Sequence, residues 1–314
     1  MSEHFVTHFN SGFLLQGMSL YFSMQRQMDN FTLWIVCLDD DLVEILSKLK
    51  LPNVQILEKE NWETTELLAL RNKRSFREYC WTLTPSVPKF VFDADLSIQR
   101  VTYVDADLWF RKDPRLIFNE FAESNKAILI TDHHYAPEFD QSVISGQYCV
   151  QFMIFQRNDS ELVRSKWESQ CREWCYAYHE DGKFGDQKYL DVWPTKYAAY
   201  THLLKDKTAI LAPWNATRFP YGNSAIWHFH GISIMRQGKK IIVDCGYAPI
   251  PDVTINNIYE PYILDIRMAA ETLKGVAIEH LPIRKFGLKN VLKIVGKRIY
   301  FRFLRMSCHK IFKI

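Results

Sequence analysis

Asp105-Ala106-Asp107 is the stretch whose residue types and spacing most directly suggest chemistry. On a strand, residues i and i+2 face the same side. Two carboxylates so placed at a strand end can meet one hard cation, and Mg2+ or Mn2+ takes such oxygen ligands, commonly shared with substrate phosphates. Asp-x-Asp also arises by chance, and a solvated strand-to-loop turn is the plain alternative. Asp93-Ala94-Asp95 repeats the pattern, but it follows Pro88 and a helix-like run, so it is expected to mark a helix end. Val101-Thr102-Tyr103-Val104 makes a cleaner strand before the later pair.

Two further constellations stand downstream. In His228-Phe229-His230-Gly231, a strand-borne imidazole can ligate a metal, and a glycine three residues on lets backbone approach a phosphate. A structural histidine in a polar loop is the competing reading. In Phe184-Gly185-Asp186-Gln187, Asp186 is either a helix cap or a carboxylate over a sugar ring, with the Gln187 amide oxygen able to stabilise positive charge.

These groups need a scaffold, and the first third of the chain alternates strand-like and helix-like runs. Residues 4–8, 31–38 and 54–57 read as strands; 12–28 and 42–49 read as helices, the second capped from Asp39–Asp41. A β-α-β-α-β order implies a mostly parallel, doubly wound sheet, in which ligands sit at the carboxyl ends of the strands. Residues 66–92 read as helical with breaks at Pro85 and Pro88. Strands are expected at 101–104, 128–131 and 151–155, a helix at 160–178, site-building loops at 180–222, and a last strand at 225–229. On that helix Cys171 and Cys175 share a face and read as core thiols.

The chain has 314 residues, 47 % of them apolar, which suits one large α/β domain with an appendage. Its start lacks a basic, then apolar, leader, and no apolar run of membrane-spanning length is free of charge. Seven scattered cysteines then read as reduced thiols in a cytoplasmic protein. Ten Lys/Arg and no acidic residue fall in 283–314, leaving the body 1–282 slightly acidic. That asymmetry argues against a nucleic-acid binder and for one localised anionic partner. Lys285, Lys289, Lys293 and Lys297 form one helical stripe and Leu288, Val291, Leu292, Val295 and Ile299 another. A basic amphipathic helix of this kind suits the inner face of a plasma membrane; a helix packed on the body is the alternative.

Taken together, the motifs resemble the GT-A glycosyltransferases, in particular the retaining branch with glycogenin and the lipooligosaccharide galactosyltransferases. Tyr103-Val104-Asp105-Ala106-Asp107-Leu108, Gly185-Asp186-Gln187-Lys188-Tyr189-Leu190 and His228-Phe229-His230-Gly231 match that branch's elements in order. Residues 78–85, 181–187 and 212–215 also resemble bacterial glycosyltransferase-like proteins associated with surface-polysaccharide genes. The resemblance spans roughly residues 4–235. It implies a Rossmann-like GT-A domain over 1–282 and a nucleoside diphosphate sugar donor, UDP-linked by preference. It also implies Mn2+ or Mg2+ held by Asp105, Asp107 and His228, and a glycan or glycolipid acceptor. Thr7, Asn10, Arg74, Ala106 and Gly231 would line the donor, and Asp186 and Gln187 would work beside the sugar, with retention.

The chain departs from that branch in two places. Asn10 and Phe13 stand where an Asp and a Tyr usually hold the nucleoside, and Ile232-Ser233-Ile234-Met235 replaces a Lys-Pro-Trp. The cation that meets the diphosphate is therefore open among Lys73, Arg74, Arg236, Lys239 and Lys240. His133-His134, Trp214, Tyr221, Trp193 and Trp227 are candidates for sugar contacts, with core packing as the alternative for the aromatics. A sugar-nucleotide hydrolase or nucleotidyltransferase and a non-catalytic nucleotide-sugar-binding protein are the rival readings. The poor phosphate loop at Asn10-Ser11-Gly12 weighs against a nucleotidyltransferase, and the intact acidic residues weigh against a non-catalytic protein.

Overall fold

The computed structural model describes residues 2–220, 224–246, 248–273, 278–283, 306–307 and 310–314. Its strands are β1 (Glu3–Phe9), β2 (Phe31–Cys37), β3 (Val54–Leu57), β4 (Arg100–Val104), β5 (Leu108–Phe110), β6 (Ile128–Asp132), β7 (Tyr148–Gln156), β8 (Thr201–Leu203), β9 (Ile210–Leu211), β10 (Ile226–His228), β11 (Ser233–Gln237), β12 (Lys240–Asp244), β13 (Ile250–Pro251), β14 (Met306–Ser307) and β15 (Ile311–Lys313). Seven of them form the central sheet in the order β3-β2-β1-β4-β7-β6-β8. All neighbours run parallel except where β7 pairs antiparallel with β4 and β6, so β7 alone is reversed.

Alternation along each strand divides the core between the two faces. Phe5, Phe152 and Ile154 point into one cluster with the helices Leu14–Gln27, Asp40–Leu49 and Glu260–Thr272. Val6, Met153 and Phe155 point into the other, against the helices Phe76–Leu83, Val87–Ala94 and Glu161–Glu173. A strand covered on both sides must be apolar throughout, which is why β7 reads as one run. Each large side chain fully buried there contributes about 1.5–3 kcal/mol.

The expected helix caps and breaks are only partly where the sequence put them. Asp39 caps its helix by accepting from Leu42 N. The 66–92 segment breaks at Pro85 as expected, between the helices Phe76–Leu83 and Val87–Ala94, and also earlier, where Ser75 and Glu78 form a capping box that starts a new helix at Phe76. Pro88 sits in the first turn of the helix Val87–Ala94, where a missing N–H is harmless. Asp93 and Asp95 mark that helix's end, Asp93 paired with Lys89 and Asp95 turned onto Ser97. The helix expected over 160–178 stops at Glu173, so Cys175 lies beyond it; both cysteines are nonetheless buried.

The strand at 226–228 is not the last one. The hairpin β11–β12 follows, and β15 adds to β12 antiparallel. Of the expected tail helix, residues 284–305 with all the Lys stripe lie outside the described residues. Ile311 and Phe312, near the end of that tail, belong to β15. Backbone bonds from Ile241 and Ile314 to each other tie that end to the body. Among the described residues no helix is long and apolar enough to cross a membrane.

Candidate metal and donor site

The site is built where β4 runs out. β4 ends at Val104, and Asp105-Ala106-Asp107 forms a turn closed by Leu108 N donating to Asp105 O at 3.1 Å. The two carboxylates therefore converge through a turn and not through the pleat of a strand, as the i, i+2 argument supposed. The chain then enters β5, which pairs antiparallel with β10 so that Leu108 faces His228. Phe229 N donates to Asp107 O at 2.9 Å and completes the register. A backbone ladder thus sets an imidazole from residue 228 beside carboxylates from 105 and 107.

His228 Nε2 lies 3.1 Å from Asp107 Oδ1 and 3.7 Å from Asp105 Oδ2, and one donor atom from each residue falls within 4.8 Å of the others. A cation with bonds of about 2.1 Å places neighbouring ligands about 3 Å apart, so two oxygens and one nitrogen at this spacing fit Mn2+ or Mg2+. Burial opposes charge on His228, but Asp107, then Asp105, outweigh it and raise its pKa. Burial likewise works against Asp107, yet the His228 charge and hydrogen bond hold that carboxyl below the usual range. Asp105 is pushed up, by burial first and by Asp107 next, although it accepts from Tyr103 Oη at 2.7 Å. The imidazole and one carboxylate thus favour charge, while the second carboxylate lacks enough positive charge nearby.

Asp186 lies within electrostatic reach of Asp105. It is 2 % exposed, its Oδ2 has no hydrogen-bond partner among the described residues, and burial raises its carboxyl to about 7. A buried carboxyl oxygen without a partner is costly and marks a place where another molecule can bind. Gln187 follows, its amide donating to Ser145 O at 2.8 Å. Gly185 holds φ +53°, and a Cβ there would press on the Trp81 ring at 3.2 Å. Gly231 holds φ +78° with no atom within 4 Å of where a Cβ would stand, so its backbone is open to a ligand.

The other expected residues divide. Thr7 is fully buried with Oγ1 unpartnered, at the carboxyl end of β1. Asn10 is half-buried beside it, and its neighbour Ser11 is pinned by Asp39. Ala106 lies in the acidic turn. Arg74 is not free for a diphosphate: its guanidinium donates to Cys171 O at 2.8 Å, Arg172 O at 2.7 Å and the Thr82 hydroxyl. Lys239 and Lys240 are exposed at the far end of the β11–β12 hairpin. Trp193 and Trp227 are core residues, at 1 % and 0 % exposure, and Tyr221 lies outside the described residues. Trp214 is half-buried, its indole held by His133 O at 2.9 Å and its ring 5.3 Å from that of His228. His134 sits in the left-handed region at φ +45°, beside Asp132.

Four contributors were missed. Gln151 touches His228, and Tyr103 holds Asp105. Gly246 backs Gly231, since a Cβ there would lie 2.8 Å from Gly231 O. Arg77 is the fourth. Desolvation, then the charge of His228 and, to a smaller extent, that of Arg77, push the His230 imidazole down, so the Arg77 charge is felt at His230. Gln151 carried a signal, one amide inside the apolar run of β7; the exposed Arg77 carried none.

This architecture has a counterpart among solved structures. Over 73 % of this chain and 97 % of the other, the crystal structure of mouse xyloside xylosyltransferase 1 in its apo form superposes with a TM-score of 0.50 at 14 % identity. The chain has the GT-A fold: a large, mostly parallel sheet flanked by helices. In sequence it is similar to two uncharacterised proteins of Bacillus subtilis. YfnD is 27 % identical over 84 % of this chain and 88 % of its own length; YfnF is 28 % identical over 90 % and 94 %. No family model matches the chain.

Proposed function

We propose that this protein is a metal-dependent glycosyltransferase. It moves a sugar from a nucleoside diphosphate sugar, UDP-linked by preference, to a hydroxyl of a glycan or glycolipid acceptor, with retention. The observation that carries the reading is the convergence of Asp105, Asp107 and His228 at the carboxyl edge of the sheet, with the Asp186 carboxyl, its Oδ2 unpartnered, in reach. Mn2+ or Mg2+, when bound, would neutralise the diphosphate of the leaving group. Asp105, Asp107 and His228 would hold that ion. Thr7 and Asn10 would face the nucleoside, and Gly231 would leave room for the diphosphate against bare backbone. Asp186 and Gln187 would sit beside the sugar, where the carboxylate can bind hydroxyls and the amide oxygen can stabilise positive charge at the anomeric carbon. The likeness of these motifs to the retaining branch supports retention, and the likeness of residues 78–85, 181–187 and 212–215 to bacterial polysaccharide-associated proteins supports a role in surface-glycan synthesis.

The experiment is release of UDP and GDP from a panel of nucleotide sugars, with Mn2+ and with EDTA, for the wild type and Asp107→Ala. Slow metal-dependent hydrolysis of one donor, abolished in the variant, is expected. If no donor turns over or binds in a metal-dependent way, the assignment falls. We further propose that residues 283–314 hold the protein to an anionic membrane surface at the cytoplasmic face. Their uncompensated positive charge supports this. Charge reversal at Lys285, Lys289, Lys293 and Lys297 should then release the protein from phosphatidylserine vesicles.

A further inference from the structure

Gln151 stands between the two halves of the metal cluster, and no motif of the sequence accounts for it. Its side chain is 1 % exposed, and in β7 it stands between Tyr148-Cys149-Val150 and Phe152-Met153-Ile154-Phe155. Its main-chain oxygen accepts from Asp105 N at 2.9 Å, continuing the β4–β7 ladder past Val104. Its side-chain Oε1 lies 2.7 Å from His228 Nδ1. One residue thus fixes the backbone that carries one carboxylate and the ring that faces both.

We propose that Gln151 is the positioning residue of the metal site, selecting the His228 tautomer whose Nε2 lone pair points at the cation. An amide oxygen can only accept, so Nδ1 must carry the proton. In a neutral imidazole, Nε2 is then the nitrogen left to ligate, and Nε2 is the atom aimed at Asp105 and Asp107. A ligating histidine generally has its other N–H held in this way, and losing the partner weakens metal binding about 10–100-fold. Burial of an amide within an apolar strand is otherwise unfavourable, by about 1–3 kcal/mol if its oxygen goes unpaired. A residue that only filled space there would not need the acceptor.

The inference rests on the metal reading above, and the test separates the two. Mn2+ alone is titrated into the apo protein and the free ion followed by electron paramagnetic resonance, for wild type, Gln151→Met and Gln151→Glu. Methionine keeps the length and loses the acceptor; glutamate keeps an acceptor that cannot turn round. The expected order is Gln151→Glu at least as tight as wild type, and Gln151→Met weaker by about 10–100-fold with a wild-type melting curve. Equal affinity for Gln151→Met and wild type, or equal weakening by both substitutions, would overturn the role of Gln151 alone. A wild type that holds no Mn2+ would overturn the metal reading and this inference together. Because Gln151→Met risks misfolding, 1H–15N correlation spectra of His228 in the Mg2+-loaded wild type give a second answer. A proton on Nδ1 supports the inference, and a proton on Nε2 refutes it.

Discussion

Around Arg164 every guanidinium nitrogen finds an acceptor inside the protein, whereas around His228 the carboxylates outnumber the cation. Arg164 is 1 % exposed; its guanidinium takes both oxygens of Glu161 at 2.7 Å, Glu168 at 2.7 Å and Pro85 O at 2.8 Å. The other oxygen of Glu168 accepts from the Ser86 hydroxyl at 2.8 Å and from Arg172. Burial alone would raise the Glu168 carboxyl, but the Arg164 charge and hydrogen bond carry it below its usual range. At His228 one imidazole faces Asp105 and Asp107, with Asp186 near, and both Asp105 and Asp186 are pushed up by burial. Paired charge that is fully hydrogen-bonded is architecture. Acidic charge left short of a counterion, with the Asp105 side chain 26 % exposed, is built for a cation from outside.

The comparison is most sharply tested by removing one partner from each cluster. Arg164→Met should cost about 1.5–3 kcal/mol of stability, because Glu168 and Pro85 O lose a buried donor, although Glu161 is exposed and Glu168 keeps Arg172. Asp107→Asn in metal-free protein should stay within about 1 kcal/mol, the range of an ordinary substitution. Guanidinium unfolding measures both, and equal losses would erase the distinction. Metal should then act on one cluster only. Mn2+ at about a hundred times its dissociation constant should stabilise the wild type by about 2.7 kcal/mol. EDTA should remove that gain, and Asp107→Asn should never show it by calorimetry. A shift of the same size in both proteins would place the ion elsewhere.

The parallel sheet and the three motifs were legible because each is local. Strand periodicity gave β1 to β4, β6 and β7, and Asp39 announced its helix through a cap three residues long. What brings the motifs together is not local. The pairing of Leu108 with His228 joins residues 120 apart, and no spacing rule points to it. Arg74 misled because an arginine reads alike whether it binds phosphate or closes a helix end. β15 was overlooked since a basic, apolar-striped tail also fits a helix, and no element was expected over the residues of β11 and β12.

Asp186 offers a gentler probe of the same imbalance. Its carboxyl is raised by burial to about 7, so the folded state keeps the proton that the unfolded chain gives up near the ordinary carboxylate value. Stability should therefore fall as pH rises from about 4 towards 7 and then level off. Asp186→Asn lacks that titration. Its melting temperature should match the wild type near pH 4 and exceed it by several degrees at pH 8. An equal gap at both pH values would mean the carboxyl is not held neutral by its surroundings.

The smallest expected effect comes from two arginines three positions apart, which restate the contrast on one stretch of chain. Arg74 is closed in: its Nη1 and Nη2 donate to Cys171 O, Arg172 O and Thr82, with Nε alone left unpartnered, and Arg74→Ala should lower the melting temperature while the donor KM stays put. Arg77 is exposed on the helix Phe76–Leu83, no described residue forms an ion pair or hydrogen bond with it, and its charge reaches His230. Arg77→Ala should leave melting unchanged, as surface substitutions do, and raise the KM for the donor about 3–10-fold. Donor-titrated hydrolysis with a melting curve for each variant gives both readings. If Arg77→Ala destabilises and Arg74→Ala weakens donor binding, then the cation for the diphosphate is the buried one, and internal hydrogen bonding would no longer separate architecture from function in this protein.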